Sequence, residues 1–500
     1  MNILLINPPF EDEYSVGSSK SIKYVLNVIP PLGLAYLAAA LGKSGFAVEI
    51  IDGFLGNPDI PGIIADRPDI IGLTATTPTF NSALVIARKI KEGLPSVIII
   101  LGGAHITAMP WEAMAAGPFD IGVIGEGEVT LTELVKLLSS KFTSLPATGW
   151  SNDLRRVKGI IFREGGDLVA TPKREAIMDL DTIPFPARHL LAPLSKYRPT
   201  PASYRRLPLG VMITSRGCPQ QCAFCDRAVF GNSYRFRGPE NVLGEAEELV
   251  YKYGAREIRF FDDCFTLDKE RTIKICQGLR KIKPKLPWTC LTTVGSVTKE
   301  LLKEMKESGC WQVLYGLESG SERMLRLLKK GASLEQNIQA VKWAQEAGLS
   351  VRADFIVGTP GETEESLNQT ISFALKMKLD YAHFNKFVPY PGSELYERLR
   401  REGLSFDFGR GSSITDNESF QYIPDTMADK DYYKKFINLA HRKFYLRPAY
   451  ILRRLLSLRS REELFGQIKG FLAIIFLSEV SPPIGGETSD RRGLRCERQA

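Results

Sequence analysis

No apolar run in the sequence is long enough to cross a bilayer. The longest, residues 32–41 and 471–477, fall well short of the roughly 20 residues that a spanning helix requires, so no transmembrane segment is expected. The opening stretch Asn2-Ile3-Leu4-Leu5-Ile6-Asn7-Pro8-Pro9 reads as a buried strand and shows neither a basic n-region nor a cleavage site, which points to a cytoplasmic protein. Cysteine is scarce. Eight in 500 residues, three of them crowded into one loop, do not make the disulfide framework of a secreted domain and imply a reducing compartment. Charge of one sign is not segregated either: acids and bases mix through most of the chain and the net +8 lies mostly near the C-terminus, so no nucleic-acid partner is expected.

What the sequence does contain is one dense loop, Arg216-Gly217-Cys218-Pro219-Gln220-Gln221-Cys222-Ala223-Phe224-Cys225-Asp226, directly after a short apolar run at 209–213. Its cysteines stand four and three apart, with no fourth nearby. Electron-transfer clusters usually take four thiolates and structural zinc four ligands, so three thiols around a cluster leave one iron open to a ligand. Three ordinary core cysteines remain the alternative. The spacing resembles the CxxxCxxC signature of the radical S-adenosylmethionine (SAM) superfamily, in which Phe224 stands at a position that is usually aromatic. The resemblance implies that Cys218, Cys222 and Cys225 hold a 4Fe-4S cluster, whose open iron chelates SAM and whose electron, drawn from a donor such as flavodoxin or ferredoxin, cleaves it to a 5'-deoxyadenosyl radical.

Ahead of the loop, apolar runs at 3–6, 47–51, 70–74, 97–101 and 121–124 alternate with helical patterns at 32–43, 81–92, 111–116 and 131–138. Such alternation specifies a doubly wound parallel sheet, whose ligands sit at the carboxyl ends of the strands. Small and hydroxylated residues gather at those ends: Thr74 and Thr76; Gly102, Gly103, His105 and Thr107; Gly125, Glu126 and Gly127. Each group alone reads equally as a strand-to-helix turn. Together, upstream of the cysteine loop, they resemble the cobalamin-binding domain of one branch of the superfamily, which makes them expected cobalamin contacts. In the DxHxxG motif of many such domains a histidine ligates the cobalt from below; here Asp52-Gly53-Phe54-Leu55-Gly56-Asn57 puts Phe54 in its place, and no lower imidazole is expected.

After a hairpin pattern near 157–170 and a proline-studded stretch at 179–208, a second series of six strand and helix patterns runs from 209 to 388, and it resembles the partial (β/α)6 barrel of the superfamily. The expected architecture is therefore α/β: a Rossmann-like cobalamin domain (1–140), a hairpin and Pro-rich linker (141–208), a partial barrel (209–400), a helical C-terminal domain (401–480) and a disordered tail (481–500). By resemblance, Asp262 and Asp263 contact the SAM amino group, Glu318 and Ser319 its ribose and carboxylate, and Arg352 and Gly358 lie on the same face; helix capping is the alternative for the acids. Gly358-Thr359-Pro360-Gly361-Glu362 matches the family's pattern only in part. Cys264 and Cys310 are candidates for the cavity wall, and no catalytic acid, base or nucleophile is assigned.

The stretch Arg442, Lys443, Arg447, Arg453, Arg454, Arg459 and Arg461 is free of acids. It reads either as a basic amphipathic surface for peripheral contact with an anionic membrane or as a helix face packed on the barrel. The resemblance implies methylation of an unactivated carbon in a small-molecule or lipid-like, hydrophobic substrate, using cobalamin and two SAM per turnover. Radical cyclisation, as in the anaerobic magnesium-protoporphyrin ester cyclases, and a non-catalytic cobalamin or redox sensor are the alternatives.

Overall fold

The computed structural model describes residues 1–10, 27–142, 151–406, 408, 421–457, 464–468 and 470; the expected tail 481–500 with Cys496, the run 471–477, Arg459 and Arg461 lie outside them. Five strands, β1 (Asn2–Asn7), β2 (Ala47–Asp52), β3 (Ile70–Thr74), β4 (Ile98–Gly102) and β5 (Ile121–Val123), form a parallel sheet in the order β2-β1-β3-β4-β5. Helices α1 (Leu32–Lys43), α2 (Ile60–Asp66), α3 (Phe80–Gly93), α4 (Ala104–Ala108), α5 (Pro110–Ala116) and α6 (Gly127–Phe142) cover it. Ile3 and Leu5 pack toward α1 and α6, Leu4 and Ile6 toward α2 and α3. Burial on both faces explains why these strands carry unbroken apolar runs. Helix α2 escapes a reading by pattern because Pro61 and Gly62 interrupt it; Asp59 caps it by accepting from the Gly62 amide at 3.3 Å.

After the short α7 (Ser151–Leu154), the hairpin of β6 (Ile160–Glu164) and β7 (Asp167–Ala170) pairs antiparallel with β5 and takes the sheet to seven strands. The connector hairpin thereby covers the exposed edge of a three-residue strand. Strand order reverses at β1, which lies between β2 and β3, and this opens a crevice at the carboxyl ends of β1 and β3.

The second sheet begins with β8 (Leu209–Met212), followed by the short antiparallel pair β9 (Ser215–Arg216) and β10 (Arg235–Phe236). It continues through β11 (Glu257–Phe260), β12 (Trp288–Thr292), β13 (Cys310–Glu318), β14 (Ser350–Val357) and β15 (Tyr381–Lys386), six parallel strands in the order β8-β11-β12-β13-β14-β15. Outside lie α8 (Pro239–Tyr251), α9 (Lys269–Leu279), α10 (Lys299–Glu307), α11 (Glu322–Leu327), α12 (Leu334–Glu346) and α13 (Glu364–Lys376). Ile258, Trp288, Val313, Val351 and Phe355 join one core beneath these helices. Alternate residues face the lumen.

Six strands do not close a barrel. On the β8 side, Leu32 and Tyr36 of α1 and Leu180 and Ile183 of the linker pack on Leu209 and Val211. On the opposite edge, beyond α14 (Glu394–Arg401), helix α15 (Lys430–Tyr445) completes the ladder of β15 with side chains. The Ala382 amide donates to the Tyr445 hydroxyl at 3.1 Å, that hydroxyl donates to the Ala382 carbonyl at 3.0 Å, and the Phe384 amide donates to His441 Nε2 at 3.4 Å. A strand edge is thus protected by a helix. His441 donates through Nδ1 to the Ile437 carbonyl at 2.9 Å, which fixes its tautomer, and burial pulls its pKa down to about 4.

In α16 (Pro448–Ser457) and just before it, the arginines turn inward. Arg447 donates to the Leu375 carbonyl at 3.2 Å and Arg453 to those of Lys378 and Leu379 at 2.8 and 2.6 Å, while Arg454 stands 3.4 Å from Asp380. Arg447 and Arg453 cap carbonyls at the base of the barrel and Arg454 pairs with a carboxylate there, and the outer face shows Leu452, Leu455 and Leu456 instead. These three arginines are therefore not a basic outer surface. No helix among the described residues is long and apolar enough to cross a membrane.

His441 generates a pH prediction. Its folded pKa of about 4 lies below the ~6.5 of an unfolded histidine, so its contribution to stability is full above pH ~6.5 and is lost as pH falls toward 4. Urea unfolding across this range should show His441→Gln losing less stability than the wild type, by up to about 1.4 kcal/mol per pH unit.

Candidate functional site

The cysteine loop leaves β9 at the mouth of the barrel. Gly217, at φ 83°, is required there because a Cβ would run into the Ser233 carbonyl. Cys218 is half-buried, Cys222 buried and Cys225 exposed, and none is in a disulfide. Ala223 anchors the loop, donating to the Leu328 carbonyl at 2.9 Å and accepting from the Leu395 amide at 2.8 Å. Burial pushes all three thiols up, Cys225, though exposed at the mouth, to about 12; neighbouring thiols add to it at Cys218 and Cys225, while Lys330 opposes it at Cys222. Among the described residues no three acidic, histidine or cysteine side chains converge as they would on a single metal ion.

Around the mouth the structure sorts the expected SAM contacts. Asp262 is buried and spent: it accepts from the Thr214 amide at 2.6 Å and from the hydroxyls of Thr214 and Ser215 at 2.5 and 2.7 Å. Its neighbour Asp263 is exposed at the mouth, yet ringed by enough protein that burial, and then Asp262, raise its pKa. Of the two acids, only Asp263 presents a carboxylate to a ligand. Glu318 adopts φ 61°, uncommon for a residue with a Cβ, and pairs with Lys330 at 2.8 Å. Burial alone would lower the Lys330 pKa, but Glu318, Cys222 and Cys225 hold it above its usual value. Lys330 Nζ also lies 6.0 Å from the ring of Phe224, behind the loop.

Other expected contacts have structural tasks. Ser319 meets the Thr370 hydroxyl at 3.1 Å and accepts from the Ser321 amide at 3.1 Å. Gly358, at φ 81°, makes room for Tyr433, whose hydroxyl donates to the Val357 carbonyl at 3.2 Å. Arg352 points into the lumen, donating to Ser203 at 3.1 Å and to His383 Nδ1 at 2.9 Å, and so stands apart from the mouth. Cys310 is buried in the helix-side core with Cys276 and Cys290. Cys264 is also buried, 3.4 Å from the Ser296 hydroxyl.

The crevice of the first sheet faces this mouth. An added Cβ at Gly102 or at Gly125 (φ 83°) would meet nothing within 4 Å, so both border open space, whereas one at Gly103 would strike Ala75 and Thr74. Thr76 is exposed and braced by Thr79, with both hydroxyls 3.0 Å apart, and Thr107 accepts from the Gly125 amide at 3.0 Å. His105 is packed rather than offered: its ring lies 4.1 Å from that of Phe80, its Nδ1 is 3.2 Å from Thr77, and burial lowers its pKa to about 4. Phe54 stacks on Phe10 at 4.6 Å below the same crevice. An open, glycine-bordered cradle with no ligating imidazole directed into it fits a corrin bound without a lower protein ligand.

Glu126, expected beside the cofactor, joins the two halves instead. It accepts from Arg216 at 2.7 Å, from Arg235 at 2.8 Å and from the Ile177 amide at 2.9 Å, while Glu128 accepts from Arg216 at 2.5 Å. Burial would raise the Glu126 pKa, but the hydrogen bonds from Arg216 and Arg235 outweigh it and hold the carboxyl below its usual range. Gly125 and Gly127 therefore offer a ligand only backbone. Neither this use of Arg216 nor Lys330 was marked by sequence pattern; their only signal is a charge next to a motif.

Comparison with known proteins agrees with this arrangement. The radical SAM superfamily matches residues 212–374 and the B12 binding domain residues 22–135. An uncharacterized methyltransferase of Pyrococcus horikoshii is 36% identical over 91% of this chain and 94% of its own. The anaerobic magnesium-protoporphyrin IX monomethyl ester cyclase of Rubrivivax gelatinosus is 29% identical over 94% and 82%, respectively. The solved radical SAM methyltransferase TsrM of Kitasatospora setae, with cobalamin and a [4Fe-4S] cluster bound, shares the fold at a TM-score of 0.68 and 18% identity, covering 96% of this chain and 99% of that one.

Two variants probe this geometry. Arg216→Met strands buried Glu128 and half of Glu126, and urea unfolding should show a loss of about 3–5 kcal/mol, with weaker cobalamin retention. Gly358→Ala, at a positive φ and against Tyr433, should cost about 2–4 kcal/mol; adding Tyr433→Phe, which removes the obstructing hydroxyl, should restore part of the loss.

Proposed function

Since the chain belongs to the radical SAM superfamily, in the branch that carries a B12 binding domain, we propose that it methylates an unactivated carbon of a small molecule held in the barrel lumen. The observation that carries this reading is the buried Arg216 link, which sets the three-thiol loop against the glycine-bordered crevice. When bound, the 4Fe-4S cluster and SAM supply a 5'-deoxyadenosyl radical, and cobalamin supplies a methyl carrier.

The chain's residues hold and orient these groups. Cys218, Cys222 and Cys225 provide thiolates for three irons, Phe224 packs behind them in the cluster of Leu328 and Phe387, and Asp263 provides a carboxylate for the ammonium of SAM. Backbone at Gly102, Gly103 and Gly125 admits the corrin edge, with Thr74, Thr76 and Thr107 as hydroxyl partners. Phe54 puts an apolar ring at the motif position of a ligating histidine, so this segment would offer a bound cobalamin no imidazole. A flavodoxin or ferredoxin is the proposed electron donor. Radical cyclisation is the second reading, favoured by the likeness to the Rubrivivax cyclase.

The test is anaerobic reconstitution with iron, sulfide and cobalamin, followed by product analysis with SAM and a strong reductant. Methyl transfer predicts S-adenosylhomocysteine alongside 5'-deoxyadenosine, and both should fall to background in Cys222→Ala. 5'-Deoxyadenosine alone would favour cyclisation. The cob(II)alamin EPR signal should lack axial nitrogen splitting in the wild type; splitting there would overturn the role given to Phe54.

A further inference from the structure

The lumen wall carries a cation that nothing among the described residues pairs. Along β11, β14 and β15 alternate residues turn inward, and these include Arg259, Arg352, Asp354 and His383. Their strand neighbours Phe260, Ala353, Phe355 and Phe384 are buried under the helices. Asp354 and His383, by contrast, keep 25% and 28% of their side-chain surface accessible deep inside the protein, so the lumen has room for a ligand.

Arg352 is engaged by Ser203 and His383 and stands 3.5 Å from Asp354. A guanidinium can only donate, so His383 accepts at Nδ1 and carries its proton on Nε2, which has no partner among the described residues. Burial, and then Arg352, keep this imidazole neutral. Arg259 lies over the Phe261 ring at 4.6 Å and makes no hydrogen bond or ion pair among the described residues. The carboxylate below it, Glu257, is already taken by the amides of Arg205 and Arg206 and by Trp311 Nε1, each at 2.8 Å. Two guanidiniums thus share one carboxylate, Asp354, which stands beside Arg352 and His383, and a neutral imidazole. Beside Arg259 the register places Val211 and Thr289, with Gln312 next to Thr289 and Leu291 and Leu314 further along the same face.

An unpaired cation in such surroundings is costly, and an apolar side chain of similar volume would fill the space better. Building on the reading of the lumen as the reaction chamber, we propose that the substrate bears an oxyanion, carboxylate or phosphate, docked on Arg259 with His383 Nε2 as a second donor. The guanidinium fork suits either group.

Holoenzyme without SAM is titrated with inorganic phosphate and, separately, with acetate, at ionic strength fixed by sodium chloride, while the unfolding midpoint is followed. A saturable rise is expected, with apparent affinity weakened about ten- to hundredfold in Arg259→Met and intermediate in Arg259→Lys. The cob(II)alamin signal and the SAM-dependent change in the cluster signal should match the wild type in both variants. Arg259→Met removes a half-buried charge that has no ion-pair partner among the described residues, so it should fold at least as stably. A response to one anion names the oxyanion; a response to both shows that the site reads their shared charge. Equal responses in wild type and Arg259→Met, or none in either, overturn the assignment. Loss of 5'-deoxyadenosine formation in the wild type overturns the proposed function instead and leaves the anion result standing.

Discussion

The molecule depends on one buried charge network. Arg216 stands two residues before the first cluster cysteine, and Glu126 and Glu128 stand at the carboxyl end of a strand in the other sheet. Removing such charges from water is expensive, and the expense is offset only when the guanidinium and both carboxylates meet with good geometry. That condition is satisfied only with the two sheets docked. The cysteine loop and the crevice therefore take shape together, and Arg235, by pairing with Glu126, brings the end of that loop into the same arrangement.

A second network repeats the logic one layer away. Glu245 of α8 is fully buried between Arg188 of the linker and Arg237, the residue after β10, beneath Tyr36 of α1. The proline-rich linker is consequently a structural wall of the barrel lumen. It closes the open side of the barrel with Leu180 and Ile183 and seals its base with residues 202–206, through the Ala202 carbonyl, Ser203 and the amides of Arg205 and Arg206. A chamber with one sealed end and one end at the cluster suits radical chemistry, because excluding water and fixing the substrate both limit side reactions.

The elements were legible because their signals are local. Apolar runs bounded by glycine and proline placed all five parallel strands of the first sheet and all six of the second, and Gly125 and Gly102 marked the strand ends that border the crevice. Helix α2 was not legible, since Pro61 and Gly62 mask a helix that Asp59 starts. The arginines of the C-terminal stretch were ambiguous for a different reason: periodicity shows that residues share a face, not what that face meets, and here it meets carbonyls at the base of the barrel.

The sequence by itself determined the chemistry on offer: three thiols at fixed spacing with no fourth, a phenylalanine where a cobalt-ligating histidine would stand, and the alternation that makes two parallel sheets. Tertiary structure decided which carboxylates remain available. Asp262 is consumed by Thr214 and Ser215 while Asp263 is not, Glu126 is consumed by arginines 90 and 109 residues away, and Arg259, stacked over Phe261, makes no hydrogen bond or ion pair among the described residues. The physical reason is that a side chain's chemistry is carried by its type, whereas its partner is set by strand order and domain docking. Those arise from packing across the whole chain and leave no trace in any local pattern.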